Sequence, residues 1–165
     1  MTTNTMVAIQ TQTLGSATAS VTFSSIPQTY TDLFLVVNAV ANSGSGGNLC
    51  LQINGDTNTY TSATRILGDG SSASSFRNTT GQSNGIMVGD VLNTGDRFVA
   101  EIHIMNYANT TTYKTVLSRY NGLAYVSGNV GLWSKPSKEA INQLVVTSSS
   151  LQTFAAGSTF TLYGI

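Results

Sequence analysis

Charged residues are scarce in this sequence. Only 8% of the 165 residues are Asp, Glu, Lys or Arg, whereas a typical soluble domain has about 25%. Seven basic and seven acidic side chains cancel to a formal net charge of zero. No basic stripe can neutralise phosphates, so we expect no nucleic-acid partner and no attachment to an anionic membrane. A neutral surface rich in hydroxyl and amide groups instead favours association between protein surfaces.

Cysteine and histidine each occur once. A single cysteine cannot form an intrachain disulfide framework, and Cys50 lies between Leu49 and Leu51, which favours a small buried hydrophobic residue. One cysteine and one histidine cannot build a zinc site. His103 has no serine in a G-x-S-x-G motif to activate, so a structural role is favoured over a catalytic one. We therefore expect no catalytic residue, no metal, no cofactor and no enzymatic activity.

A leader and a long apolar run are also missing. The N-terminal MTTNTMVAIQTQT lacks the basic start and apolar run of a signal peptide. The longest strongly apolar stretch, LFLVVNAVA from Leu33, is far short of the roughly 20 residues that cross a bilayer. We expect synthesis in a cytoplasm without an export signal.

Two further kinds of site, a calcium loop and a pair of catalytic acids, are also disfavoured by the sequence. The segment NGDTN, 54–58, resembles the start of a calcium loop but lacks the later bidentate glutamate, so a hairpin turn is favoured. A glycan hydrolase would need two convergent acids. The candidate acids are Asp56, Asp69, Asp90, Asp96, Glu101 and Glu139. The four aspartates lie beside or close to glycines, which favours turns over catalysis.

Alternation of apolar and polar residues dominates what is present, as in FVAEIHIMNY, 98–107. The strand candidates lie near 6–14, 17–23, 31–40, 48–54, 60–67, 86–92, 98–107, 113–120, 123–133, 141–148 and 158–164. The polar segment 69–85 is expected to be a long loop with one short strand. Short strands separated by turns predict a single all-β domain over 1–165, an antiparallel, jelly-roll-like β-sandwich of about eight to ten strands.

One predicted strand is apolar on both faces. In TDLFLVVNAV, Leu33, Leu35 and Val37 point one way, and Phe34 and Val36 point the other. A two-sheet sandwich covers only the inner face, so a loop, a crossing segment or another subunit is expected to cover the outer one.

Aromatic residues gather in SRYNGLAYVSGNVGLW, where Tyr125 and Trp133 share a face if the strand is extended over 123–133. Exposed, they would form a stacking platform for a glycan; the favoured interpretation is core or subunit contact.

Three stretches together resemble small β-rich virion proteins of tailed bacteriophages, especially those of aquatic bacteria and cyanobacteria. They are FSSIPQTYTDLFLVVNAV (23–40), KTVLSRYNG (114–122) with the downstream Trp133, and AINQLVVTSSSLQTFAAGSTFTLYGI (140–165). Positions matching the family motifs are Ile26, Pro27, Tyr30, Asp32, Leu33, Phe160, Leu162, Tyr163, Gly164 and Ile165. We interpret these residues as structural, since the family carries no catalytic residues to transfer.

The resemblance implies a sandwich on the outer surface of the virion, in a head decoration (cement) protein or a tail-fibre domain. A chain without heptads or a repetitive shaft favours decoration. The expected partners are the major capsid protein and further copies of the chain, as a trimer or another small oligomer. The candidate interface residues are Met6, Val7, Ile9, Phe34 and Val36. The alternative, a receptor-binding domain for host glycans, would use Tyr125 and Trp133.

The final strand candidate ends in GSTFTLYGI. It is expected to close the sandwich, with Phe160 and Leu162 inward and Tyr163 and Ile165 outward. The terminal carboxylate is expected at the rim or beside Arg65 or Arg119, because an unpaired buried charge is costly.

Overall fold

The computed structural model describes residues 5–57, 59–78, 84–150 and 152–165, without the side chains of Ser45 and Val91. Within these residues, twelve strands follow one another along the chain. They are β1 (Val7–Thr13), β2 (Ser20–Phe23), β3 (Leu33–Val40), β4 (Ser45–Ile53), β5 (Thr61–Gly68), β6 (Ala73–Asn78), β7 (Ile86–Asn93), β8 (Arg97–Ile104), β9 (Lys114–Asn121), β10 (Val126–Trp133), β11 (Leu144–Ser148) and β12 (Thr159–Gly164).

The strands form two antiparallel sheets packed as a sandwich. The large sheet has the order β1-β12-β3-β8-β9-β10-β5-β6, and the small sheet has the order β2-β11-β4-β7. The predicted all-β antiparallel sandwich is confirmed. Twelve strands exceed the expected eight to ten, and β6 is the one short strand expected within 69–85, where it forms an edge of the large sheet. Residues 79–83 of that segment lie outside the described residues.

Within the part of the chain that the structure describes, no helix is long and apolar enough to span a membrane.

The core lies between the sheets and follows the predicted alternation. On β8, Phe98, Ala100, Ile102 and Ile104 are buried, as the two-residue period predicts. The tight turn after β4 also matches its prediction. Asn54 and Gly55 both have positive φ, and the Asp56 amide donates to the Ile53 carbonyl at 2.9 Å. These are the features of a two-residue hairpin turn rather than a calcium loop.

Strand β12 lies inside the large sheet, between β1 and β3. Phe160 and Leu162 are fully buried, whereas Ile165 is exposed at the rim. An oxygen of the Ile165 carboxylate accepts hydrogen bonds from the amides of Thr31 and Asp32. The suggested arginine partners are engaged elsewhere: Arg65 pairs with Asp90, and Arg119 pairs with Glu101.

Candidate functional site

The candidate site lies on the outer face of the large sheet, the side turned away from the small sheet. Strand β10 is inverted relative to an ordinary sandwich strand. Its polar Ser127 and Asn129 point inward and are buried, whereas Val126, Val130 and Leu132 point outward and are 60%, 53% and 39% exposed. A strand with one face in water normally has the reverse arrangement.

The inversion follows from strand parity. Side chains alternate between faces, so placing Trp133 in the core sends every even-numbered residue of β10 outward. Trp133 is 1% exposed, and its Nε1 donates to Asp56 Oδ2 at 2.8 Å. Gly131 also faces inward, where any Cβ would overlap Ile86. A shift of one residue would bury the valines but expel Trp133.

Neighbouring strands extend this surface. Leu117 of β9 lies opposite Val130, and Ile66 of β5 lies opposite Gly128. Ile66 is 66% exposed, the largest value among the outward apolar residues of β5, β9 and β10. We define the apolar patch as Ile66, Leu117, Val126, Val130 and Leu132. A contiguous exposed patch of this kind is typical of an interaction surface.

The middle of the patch is concave because Gly128 has no side chain. A Cβ built on Gly128 meets no atom within 4 Å, and the neighbours in register are Arg119 on β9 and Ile66 on β5. We call this depression the Gly128 notch. It opens into a groove of about 520 Å³, whose walls include Phe34, His103, Leu117 and Val130.

Charged and polar side chains occur beside the groove in hydrogen-bonded pairs. Glu101 and Arg119 face each other across β8 and β9 and form an exposed ion pair. His103 Nε2 lies 2.7 Å from Asp32 Oδ2, and the Asn106 amide donates to Asp32 Oδ1, also at 2.7 Å. The groove therefore offers both charge signs at its rim and an apolar floor.

The His103 and Asp32 pair is the arrangement nearest to catalytic machinery. Sequence reasoning found no partner for His103, although Asp32 stands in the IPQTYTDL motif. Among the described residues, no serine or threonine hydroxyl is hydrogen-bonded to His103, so the pair lacks the nucleophile of a catalytic triad. The ring of His103 instead lies 6.2 Å from that of Phe34. This contact joins β3 to β8. Elsewhere in the part of the chain that the structure describes, no three His, Cys, Asp or Glu residues cluster as potential metal ligands.

The five candidate interface residues fall in two places. Phe34 and Val36 are half-buried on the outer face of β3, and Phe34 forms a wall of the groove. Met6 and Val7 are exposed at the start of the edge strand β1, whereas Ile9 packs against the core. Strand β12 separates the two groups.

The structure contradicts the alternative of a glycan platform formed by exposed Tyr125 and Trp133, and agrees with the favoured core contact for Trp133. Trp133 is buried in the core and hydrogen-bonded to Asp56. Strand β10 begins at Val126, so Tyr125 precedes it and is half-buried in the connection from β9. The physical reason is that a large apolar ring with a single donor is stabilised by burial when a carboxylate accepts its N–H.

The prediction that all four aspartates lie in turns is wrong for one of them, Asp90. Asp56, Asp69 and Asp96 do bind the backbone amides of turns, as predicted. Asp90 instead lies within β7, where it is fully buried and 3.0 Å from Arg65 Nη1. The paired guanidinium compensates the burial of this carboxylate.

The Arg65 and Asp90 pair belongs to a polar cluster between the sheets. Arg65 also donates to Asn48 Oδ1 at 3.3 Å, and its guanidinium lies 4.6 Å from the centre of the Phe76 ring. Burial raises the pKa of the nearby Tyr120, and the charge of Asp90 raises it further. The cluster links β5 to β7 and is a feature of the core.

The motif residues matched by the resemblance make structural contacts. The ring of Tyr30 lies directly over Gly164, where a Cβ would overlap it. The backbones of Asp32 and Ile165 exchange hydrogen bonds, and the Tyr107 hydroxyl donates to the Pro27 carbonyl. The two motifs therefore hold each other at one end of the large sheet.

No family model and no curated protein matches the chain. Weak similarity to solved structures is found with a human SPRY domain, at 12% identity and a TM-score of 0.21, covering 88% of this chain and 95% of that one. An alginate lyase in complex with an alginate tetrasaccharide gives 8% identity and a TM-score of 0.22, covering 92% and 80%. Scores this low support no inference about function.

Proposed function

We propose that this chain is a structural virion protein of a tailed bacteriophage, a capsid decoration protein that binds the outside of the head. The virion assignment is supported by the resemblance carried by the IPQTYTDL and GSTFTLYGI segments. In this role the protein stabilises the shell through protein–protein contacts and performs no chemistry.

The inverted strand β10 is the observation that carries a binding role. Val126, Val130 and Leu132 face outward while Ser127 and Asn129 are buried. Exposing this much apolar surface is unfavourable in water, at about 25 cal/mol for each Å² left uncovered. A partner surface that covers the patch recovers this free energy, which makes the outer face an interaction surface.

A decoration protein can stabilise the shell by binding alone. A protein that binds the assembled shell, and not the free capsid subunit, stabilises the shell in proportion to the logarithm of its concentration over its Kd. The zero net charge removes long-range repulsion between copies bound side by side. The major capsid protein is the proposed partner.

The test requires particles of a phage that encodes this chain. Electron cryomicroscopy of intact particles should show density for the sandwich on the outside of the head. Shells prepared without the chain should gain thermal stability when the purified protein is added. Density confined to the tail, or absent from the particle, contradicts the proposal.

The receptor-binding alternative loses its main support. Trp133 is buried, so Tyr125 alone remains of the predicted glycan platform. A glycan array would revive this alternative if it showed specific binding that Tyr125→Ala abolished.

A further inference from the structure

We propose that the apolar patch and the Gly128 notch bind a second copy of this chain, so that the outer face of the large sheet is a self-association surface. The proposal deepens the proposed function and rests on it in treating the outer face as an interaction surface. It assigns that surface to contacts between copies of the chain, and the major capsid protein then binds another part of the chain.

The size of the face suits a stable interface. Strands β3, β8, β9, β10 and β5 are adjacent, and each has eight residues. With strands about 4.8 Å apart and residues about 3.4 Å apart, this area is roughly 650 Å². Two such faces in contact bury roughly 1,300 Å², within the usual range of about 1,200–2,000 Å² for specific interfaces.

The shape of the face supports a bulky side chain as the occupant of the notch. Gly128 leaves open space between Val126 and Val130 on its own strand. Ile66 is both adjacent to the notch and 66% exposed, so the surface presents an apolar projection beside an apolar depression. A second copy therefore supplies the complementary shape as well as the complementary hydrophobicity.

The charges on the outer face also favour a second copy of the chain as the partner. Arg119 and Glu101 are neighbours on the outer face, and Arg119 also lies opposite the notch. A partner with a strong net charge of either sign would gain nothing from one such pair. A second copy brings the same two signs, and the chain as a whole has a formal net charge of zero, so copies do not repel.

The experiment compares the wild type with three variants by sedimentation velocity over a range of concentrations. Gly128→Leu fills the notch, and Val130→Lys places like charges on the two apposed patches. Gly15→Leu is the matched control, because a Cβ at Gly15 also meets no atom within 4 Å but lies outside the large sheet's outer face. Thermal unfolding of each variant verifies that the fold is retained.

The wild type and Gly15→Leu should form a dimer of the 17.3 kDa chain, because a face that binds its own copy pairs two chains. Gly128→Leu and Val130→Lys should remain folded and weaken self-association about tenfold or more, as substitutions at the centre of an interface do. A wild type that stays monomeric at every concentration overturns the inference, as does a Gly128→Leu variant that assembles like the wild type.

Shell binding by the same variants separates this inference from the proposed function. A monomeric wild type whose shell binding is lost in Gly128→Leu identifies the capsid protein as the occupant and overturns the inference alone. A self-associating wild type that depends on the notch but binds no shell upholds the inference and contradicts decoration. A small apolar molecule found by native mass spectrometry on a monomeric wild type also overturns the inference.

Discussion

The two faces of the large sheet are built differently along the same strands. On the inner face of β10, polar Asn129 and aromatic Trp133 are buried against the small sheet. On the outer face, Val130 and Leu132 are exposed. The comparison shows that one buried tryptophan can dictate what a whole strand exposes, because residues of opposite parity must point to opposite faces.

The outer face is itself uneven. Over β3 and β8, Phe34 and Val36 are half-buried, and the His103 and Asp32 pair lies beside Phe34. Over β10 and β5 the apolar side chains are far more exposed. The most exposed apolar region of the outer face therefore lies over β10 and β5 rather than over β3.

Of the variants considered, those that break an ion pair should show the largest difference in the free energy of unfolding between the two faces. Asp90→Ala on the inner side leaves the Arg65 guanidinium largely buried without its carboxylate, since the side chain of Arg65 is 14% exposed. Removing one partner of a buried pair typically costs about 3–5 kcal/mol of unfolding free energy. Urea denaturation, followed by circular dichroism, measures this loss.

The matched control is Glu101→Ala, which removes the carboxylate of the outer pair. The side chain of its partner Arg119 is 81% exposed, so the free energy of unfolding should fall by less than about 1 kcal/mol. Equal losses in the two variants would show that the inner pair is not buried as described.

Two glycines of β10 offer a second comparison within one strand. Gly131→Val places its side chain into Ile86 and should lower the free energy of unfolding by about 1–3 kcal/mol. Gly128→Val points into open space, and valine suits a strand better than glycine, so its change should lie within about 0.5 kcal/mol or be slightly stabilising. Thermal and urea unfolding of both variants test the difference, and a destabilised Gly128→Val with an unaffected Gly131→Val would reverse the assignment of the faces.

The rate of thiol alkylation should distinguish a buried position from one on the outer face. Cys50 is fully buried, and burial raises the pKa of its thiol to about 12 from 9.0. The native thiol should therefore resist alkylation, whereas Val130→Cys should react on the outer face. Slower reaction of Val130→Cys at high protein concentration would indicate that a second copy covers it. Rapid alkylation of native Cys50 would contradict its burial.

The Cys50 thiol should also make the free energy of unfolding depend on pH, and this is the smallest of the expected effects. Between about pH 9 and pH 12 the unfolded chain loses a thiol proton that the folded chain retains, so stability falls as pH rises. The raised pKa of Tyr120 acts in the same direction. Urea unfolding at increasing alkaline pH should show a shallower decline in Cys50→Ala than in the wild type.

Much of the fold could be predicted from local patterns. The alternation in 98–107 identified the buried face of β8, and the sequence NGD identified the turn after β4. The two apolar faces of 31–40 are also visible in the sequence, and the structure half-buries Phe34 and Val36 on the outer one. These features depend on neighbours within a few residues, which is why the sequence reveals them.

The candidate site was only partly predictable. Phe34 was identified as an interface residue and lines the groove, whereas Val126, Val130 and Leu132 were not. A usable signal did exist, because Trp133 and these three residues have opposite parity on one strand. The face that each set occupies depends on whether Trp133 is buried, and single-strand alternation cannot decide that question.

The sequence by itself determined the all-β class, the neutral surface and the alternation that makes each strand two-sided. Only the tertiary structure decided which side of β10 meets the small sheet, and that Asp90 is buried against Arg65 rather than placed in a turn. The physical reason is that burial is a property of packing between distant segments. Trp133 is held inward by Asp56, 77 residues earlier, and the valines of β10, which have the opposite parity, therefore face outward.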